Sequence, residues 1–277
     1  MKIKMRNLHK FYYKDYFDLG KDENGKSKFE YIFDKNPKGK AELVAAKNKL
    51  LTGFSFSDKN HDPYIIIKNP ICNNSNSIRA NVLYQGLVTG VGINHEAKIE
   101  GEFKLGVHFD YTYGMPVVYG SSVKGVLRNA FILKQEKGKI LEYDPYFLKK
   151  ITNFQWKQKE IETLFNDIFE GKNANGPKSI YDRDIFFDAV ITKADSKGRI
   201  LCSGSITPHG NDELKNPTTL TFLKIAPGCT MEFRFKLVDS KIDGKCFTVG
   251  QKKELFETII KTVGVGAKTN VGYGQFQ

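Results

Sequence analysis

The chain has 277 residues, 40% hydrophobic and 27% charged, a balance that excludes a disordered or fibrous polypeptide and suits one large folded core or two small ones. Lys and Arg outnumber Asp and Glu by 43 to 31, a formal charge of +12 that attracts polyanions, nucleic acid first among them, although a Lys-rich proteome would yield the same composition. Cys72, Cys202, Cys229 and Cys246 form no CxxC pair, which argues against a zinc knuckle or a disulfide framework; Met1–Arg6 lacks a signal-peptide core and no apolar run reaches membrane-spanning length, so the expectation is a cytoplasmic protein with no membrane partner.

Residues 1–81 read as an irregular extension packed on the core, with aromatic clusters such as Phe11-Tyr12-Tyr13, Lys- and Asn-rich stretches, and one clear strand candidate at Tyr64–Ile67. The main domain is expected over 82–277, with an insertion at about 137–180. It opens on a strand at Asn81–Val88 and a loop at Thr89–Gly92. Tyr119-Gly120-Ser121-Ser122 combines turn residues with a helix cap, and Val123, Val126, Leu127, Ala130 and Phe131 continue at helical spacing. A second helical stripe, Ile161, Leu164, Phe165, Ile168 and Phe169, is stopped by Gly171 within the insertion.

Strands are predicted at Ile185–Ile191, at Thr219–Ile225 and from Met231 to Leu237, where apolar residues alternate with Glu232, Arg234 and Lys236 as if half-buried. Leu255, Phe256, Ile259, Ile260 and Val263 define another core helix. A glycine-rich turn and a short strand, Val271–Phe276, end the chain. This element order is that of an α+β, RRM-like or ferredoxin-like core with helical and loop insertions, a type whose open sheet face is a common RNA platform.

Two segments carry the chemistry. In Val263–Gly274, Gly264, Gly266, Gly272 and Gly274 fall within eleven positions, baring the main chain for a sugar-phosphate backbone; Lys268 adds charge, Thr269 and Asn270 add hydrogen bonds, and Tyr273 adds a ring for base stacking. The segment follows a helix and opens a strand, the reverse of a nucleotide-binding P-loop, so ATP and NAD are excluded as expectations. A turn needed only for tight packing would look the same. The second segment is Gly120–Arg128. Lys124 and Arg128 share a helix face with Ser121 and the bare Gly125 beside them, Ser122 is a further polar contact, and the N–H groups of the helix start can meet a phosphate; an ordinary solvated face with a Ser cap is the competing account.

The run Gly114-Met115-Pro116-Val117-Val118-Tyr119-Gly120-Ser121-Ser122-Val123-Lys124-Gly125-Val126-Leu127-Arg128, the segment Thr207-Pro208-His209 and the ending Gly264–Gly274 together resemble the RAMP proteins of CRISPR systems, and within them the sixth-subunit family of the Cmr (type III-B) effector complex. The likeness runs from about Tyr84 to the C-terminus. It departs from the usual pattern at Val118-Tyr119, where Ile-Pro is common, and after His209, where an aromatic often follows. The resemblance implies an RRM-like RAMP core in which Lys124, Arg128 and the Gly264–Gly274 loop line one groove, with guide RNA held there near its 3′ end, target RNA as a further partner, and other Cmr subunits alongside. His209 is a further candidate contact, and residues 195–217 a thumb that reaches neighbouring subunits or the duplex.

RAMP relatives include endoribonucleases, and metal-free RNA cleavage needs an acid and a base, usually histidines. His9, His61, His95, His108 and His209 form no pair that spacing alone brings together, and nothing obvious completes a metal site around Asp182, Asp184 and Asp188. The reading is therefore a non-catalytic RNA-binding subunit with no cofactor and no metal. A guide-processing endoribonuclease and a basic protein-interaction module stay open as alternatives.

Overall fold

Within the residues that the computed structural model describes (7–18, 24, 40–57, 76–90, 101–104, 106–173, 175–207 and 219–277), the chain opens on a short helix, α1 (Leu8–Lys10), which continues as a π-helical turn, Phe11–Asp15. Asn7 caps it by accepting the Lys10 N–H on its side-chain oxygen at 2.7 Å. Leu8, Phe11, Tyr12, Tyr16 and Phe17 are buried, so this aromatic stretch belongs to the main core. Helix α2 (Lys40–Thr52) buries Val44 and Leu51. Tyr64–Ile67, Val91, Gly92, Cys72, His61, His95 and the Pro208-His209-Gly210 segment lie outside the described residues.

Strand β1 (Ser77–Asn81) is followed by β2 (His108–Phe109), β3 (Pro116–Val118) and helix α3 (Gly120–Asn129), whose Val123 and Leu127 face the core as their spacing predicts. The insertion carries the hairpin β4 (Ile132–Glu136) and β5 (Lys139–Tyr143), then α4 (Tyr146–Ile151) and α5 (Gln158–Phe165). A π-helical turn, Asn166–Glu170, extends α5 until Gly171 ends it in the left-handed region at φ 61°. Ile161, Leu164, Phe165, Ile168 and Phe169 are all buried, each such burial contributing roughly 1.5–3 kcal/mol.

A minor hairpin, β6 (Lys172–Asn173) with β7 (Gly176–Pro177), leads to β8 (Ile185–Phe186) and β9 (Ala189–Lys193). The expected continuous strand over Ile185–Ile191 is thus broken at Phe187-Asp188. Next come β10 (Leu201–Ile206), β11 (Leu220–Ile225), β12 (Thr230–Lys236), the small hairpin β13 (Ser240–Ile242) and β14 (Lys245–Phe247), and helix α6 (Val249–Val263). Thr248 and Gln251 form a capping box at its start. Leu255, Phe256, Ile259 and Ile260 pack inward, whereas Val263, expected in that stripe, is 41% exposed at the helix end.

The main sheet has the antiparallel order β1-β12-β9-β3-β2, with β8 pairing the far end of β12. The chain's last residues join the free edge of β1: Val82 bridges Phe276, and Asn81 and Gln277 exchange both N–H···O bonds. Taken in chain order, β1, α3, β9, β12, α6 and this tail are the β-α-β-β-α-β succession of a ferredoxin-like fold, as the element order implied. Three details differ. The first ladder ends at Val82, because Gln85 and Gly86 turn the chain with positive φ (81° and 85°). The terminal strand shrinks to one bridge, since Thr269–Val271 is a 3₁₀ turn. And β10, too rich in Ser and Gly to show an apolar pattern, pairs along its full length with β11.

The largest correction concerns the second face of the sheet. Arg79, Glu232, Val190, Val117 and His108 stand in one cross-strand row and so point to the same side. Glu232, Val190 and Val117 are buried, and Arg234 is only 8% exposed; the half-buried reading of β12 fails. Glu232 is tied to Arg234 at 3.2 Å and to Arg79 at 3.5 Å. An ion pair sealed under cover replaces the open platform that the fold class suggested.

Candidate nucleic-acid interface

The start of α3 is built by close approach. Tyr119 is the residue before the helix, and its carbonyl accepts the Ser122 and Val123 N–H groups at 2.8 and 3.0 Å. A Cβ on Gly120 would stand 2.3 Å from the Phe186 carbonyl, so only glycine lets the helix sit against the β8 end. The Gly120 N–H donates to the Asp188 carboxylate at 2.7 Å. The break between β8 and β9 therefore has a function: it delivers a carboxylate to the helix start, where phosphate was expected to find an unfilled N-terminus. Ser121 and Ser122 remain exposed, and so does Gly125, where a Cβ would meet nothing within 4 Å.

Lys124 is half-buried with its ammonium 6.0 Å over the Phe186 ring. Arg128 leans the other way, into the insertion: its guanidinium lies 4.9 Å over the Phe165 ring and its Nε is 3.6 Å from Glu170. Part of its charge is already answered within the protein.

Close approach explains most of the glycines in the C-terminal loop. A Cβ on Gly274 would lie 1.9 Å from the Val265 carbonyl, and one on Gly266 2.3 Å from the Val88 carbonyl. The N–H groups of Val265, Ala267 and Gly274 donate to Gly274, Val88 and Gly86, and those of Val271, Gly272 and Tyr273 donate within the loop. The packing account of these glycines is thus the one the structure supports for Gly264, Gly266 and Gly274. Lys268, in the left-handed region at φ 62°, is exposed, as is Asn270, with Thr269 half-buried beside them. Tyr273, expected as a stacking ring, is 9% exposed: it packs against Val88 and Phe222, with the Lys224 ammonium 5.2 Å over its face, and burial pushes its hydroxyl pKa up.

The α3 start and the C-terminal loop are connected indirectly. They are joined through an intermediate strip: the Tyr119 ring is 5.0 Å from that of His108, the His108 N–H donates to Thr89 Oγ1 at 2.6 Å, and the neighbouring Val88 carbonyl holds Ala267. His108 loses basicity through burial. Pattern reading singled out neither Val88–Thr89 nor His108 as a link, because contacts between distant segments leave no local trace.

The carboxylates considered for a metal site have other duties. Asp184 is fully buried with Lys252 Nζ at 2.5 Å and accepts the Val238 N–H at 2.8 Å; Asp188 holds α3; Asp182 is exposed on a 3₁₀ turn. Among the described residues no group of three or more His, Cys, Asp or Glu is placed to hold a metal ion. Among them, too, no helix is long and apolar enough to cross a membrane.

Residues 79–277 match the family model of the RAMP superfamily, well over half of the chain. The chain belongs to the RAMP superfamily. Among solved structures, this RAMP protein is similar to a chain in the cryo-EM structure of the type III-B Cmr-beta bound to cognate target RNA, with a TM-score of 0.54 and 20% identity over 95% of this chain and 78% of that one. It also matches the crystal structure of Cmr6 from Pyrococcus furiosus, with a TM-score of 0.40 and 19% identity over 72% of this chain and 96% of that one. No curated protein matches. The first likeness shows a shared fold that extends into the N-terminal residues, which the family model does not cover.

Proposed function

We propose that this RAMP protein is a non-catalytic RNA-binding subunit of a type III-B Cmr effector complex, holding guide RNA near its 3′ end in antiviral defence in the cytoplasm. The observation that carries the reading is the start of α3, where exposed Ser121 and Ser122, Lys124 and the bare Gly125 make a basic, unobstructed strip on a RAMP fold similar to a chain of the Cmr-beta structure. Lys268, Thr269 and Asn270 form a second polar contact, separate from the first and linked to it through His108 and Val88. Gly264, Gly266, Gly272, Tyr273 and Gly274 act by shaping that loop, Arg128 from its stacked place on Phe165, and His209 from the segment beyond β10. The β10–β11 hairpin is the stem of the thumb at 195–217, the partner of neighbouring subunits and of the guide-target duplex. In the same reading the residues before β1 are an extension packed on a domain that takes in β1 (Ser77–Asn81) as its first strand, a little before the boundary at 82, with its insertion at about 137–180.

The assignment of Asp184 and Asp188 to structural bonds favours this reading over a carboxylate-dependent nuclease. The test is to purify the complex from its source cell and sequence the RNA it retains, with and without the Ser121→Glu and Lys124→Glu changes. Guide RNA in the unaltered complex, lost in the double variant, is the expected result; a defined cut in repeat RNA by the isolated protein would favour the endoribonuclease instead.

A further inference from the structure

Beside the start of α3 the protein exposes a row of rings that its phosphate-facing role leaves unused. Tyr111 is 83% exposed on the β2–β3 turn, and its ring centroid is 4.8 Å from that of His9. His9 in turn lies 4.6 Å from Tyr13, which is 36% exposed. Tyr119, itself 39% exposed, stands just after β3, the strand that pairs with β2 in the hairpin carrying Tyr111. Tyr119 is the residue that leads into Gly120-Ser121-Ser122.

The row is rigid before anything binds. The Gly114 carbonyl accepts the Leu8 and His9 N–H groups at 3.0 and 3.2 Å, and a Cβ on Gly114 would strike the Asn7 side chain at 2.1 Å, so the first glycine of the α3 signature run is what seats the N-terminal helix. The Asp110 carboxylate accepts the Thr112 and Tyr113 N–H groups at 2.7 and 2.9 Å, which fixes the turn that carries Tyr111. Asp110 is engaged in this turn, Asp15 faces Lys10 at 3.7 Å, and Asp188 accepts the Gly120 N–H at the helix start. Lys124 supplies positive charge from the helix side, within a chain of net charge +12.

We propose that Tyr111, His9, Tyr13 and Tyr119 form a stacking row for unpaired bases of the RNA whose backbone passes Ser121 and Lys124. Every base presents a π-face, so exposed rings beside a basic strip hold single-stranded RNA without reading its sequence. The row contains no aliphatic side chain, and it belongs to a chain of net charge +12, which suits a polyanion. The inference rests on the proposed RNA-binding function and adds bases to its phosphate contacts.

The test uses the full chain and two fluorescent single-stranded probes of equal length, an oligoadenylate bearing 2-aminopurine and its abasic counterpart. The unaltered protein should quench the 2-aminopurine, and the His9→Ala/Tyr111→Ala variant should bind the base-bearing probe roughly fivefold or more weakly, with an unchanged salt slope. Tyr111→Phe should bind as the unaltered chain does, since the ring is kept. Equal affinity of the double variant and the unaltered chain, or an equal loss on the abasic probe, overturns the stacking row while leaving the phosphate contacts standing. No binding of either probe by the unaltered chain removes the RNA-binding reading and the row together.

Discussion

The Asp188 carboxylate accepts the Gly120 N–H at 2.7 Å, so the first donor of the signature helix is satisfied by the protein's own anion. A phosphate approaching that helix end meets a negative charge, and Ser121, Ser122 and Lys124 must hold it from the side. Replacing Asp188 with Ala should cost about 0.5–2 kcal/mol of stability, the range for a lost helix cap, measured by urea unfolding. Asp188→Asn keeps an acceptor and removes the charge; RNA affinity at low salt should then rise. An unchanged affinity would show that RNA passes elsewhere.

Two glycines of the family motifs should respond in opposite directions. At Gly125 a Cβ has open space in a helix, so Gly125→Ala should stabilise the protein by about 0.5–1 kcal/mol while weakening RNA retention, if the bare backbone serves the ligand. At Gly274, with φ 64° and a carbonyl 1.9 Å from the added atom, Ala should destabilise by more than about 1–3 kcal/mol. Paired thermal melts and filter-binding assays separate the two.

Charge removal should not be uniform. Lys268→Ala and Lys124→Ala should each lower the slope of log affinity against log salt by about one. Arg128→Ala should lower it less, because Glu170 stands 3.6 Å away and already offsets part of that charge. Equal slope changes for all three would mean that Arg128 swings off the insertion to bind.

The buried pair of Lys252 and Asp184 fastens α6 to the segment between the insertion and β8. Lys252→Ala strands a fully buried carboxylate and should cost about 3–5 kcal/mol, whereas Lys252→Met with Asp184→Leu should recover much of that loss. Denaturation midpoints of the single and double variants decide whether the pair acts as a unit.

His108 gives the fold a sensitivity to acid. Burial holds its folded pKa below the ordinary value of 6.5, so below that value the unfolded chain takes up a proton more readily and stability falls as pH drops. Its ring packs on Tyr119 and against Gly90, and the element bearing Thr89 holds its backbone. Melting temperatures between pH 7.5 and 5.5 should fall less steeply in His108→Phe than in the unaltered chain; identical pH profiles would contradict this assignment.

Helical stripes were legible because their period is local. Val123 and Leu127, Ile161 to Phe169, and Leu255 to Ile260 all face inward as their spacing implies. The strand β10 was not, since Ser203, Gly204 and Ser205 carry no apolar alternation and pairing with β11 supplies what propensity does not. The alternation in β12 was present but misled: Glu232 and Arg234 are charged yet buried, with Glu232 Oε2 paired to both Arg234 and Arg79.

The amino-acid sequence by itself determined the family, the order β-α-β-β-α-β and the excess of positive charge, because each is written in neighbouring residues or in composition. Only the tertiary structure decided where that charge can be used. It placed Asp188 at the helix start and Glu170 beside Arg128, spent the glycine-loop donors on Val88 and Gly86, and drew His9 and Tyr13 alongside Tyr111. These are contacts between residues far apart along the chain, set by how whole elements pack, and no local pattern encodes them.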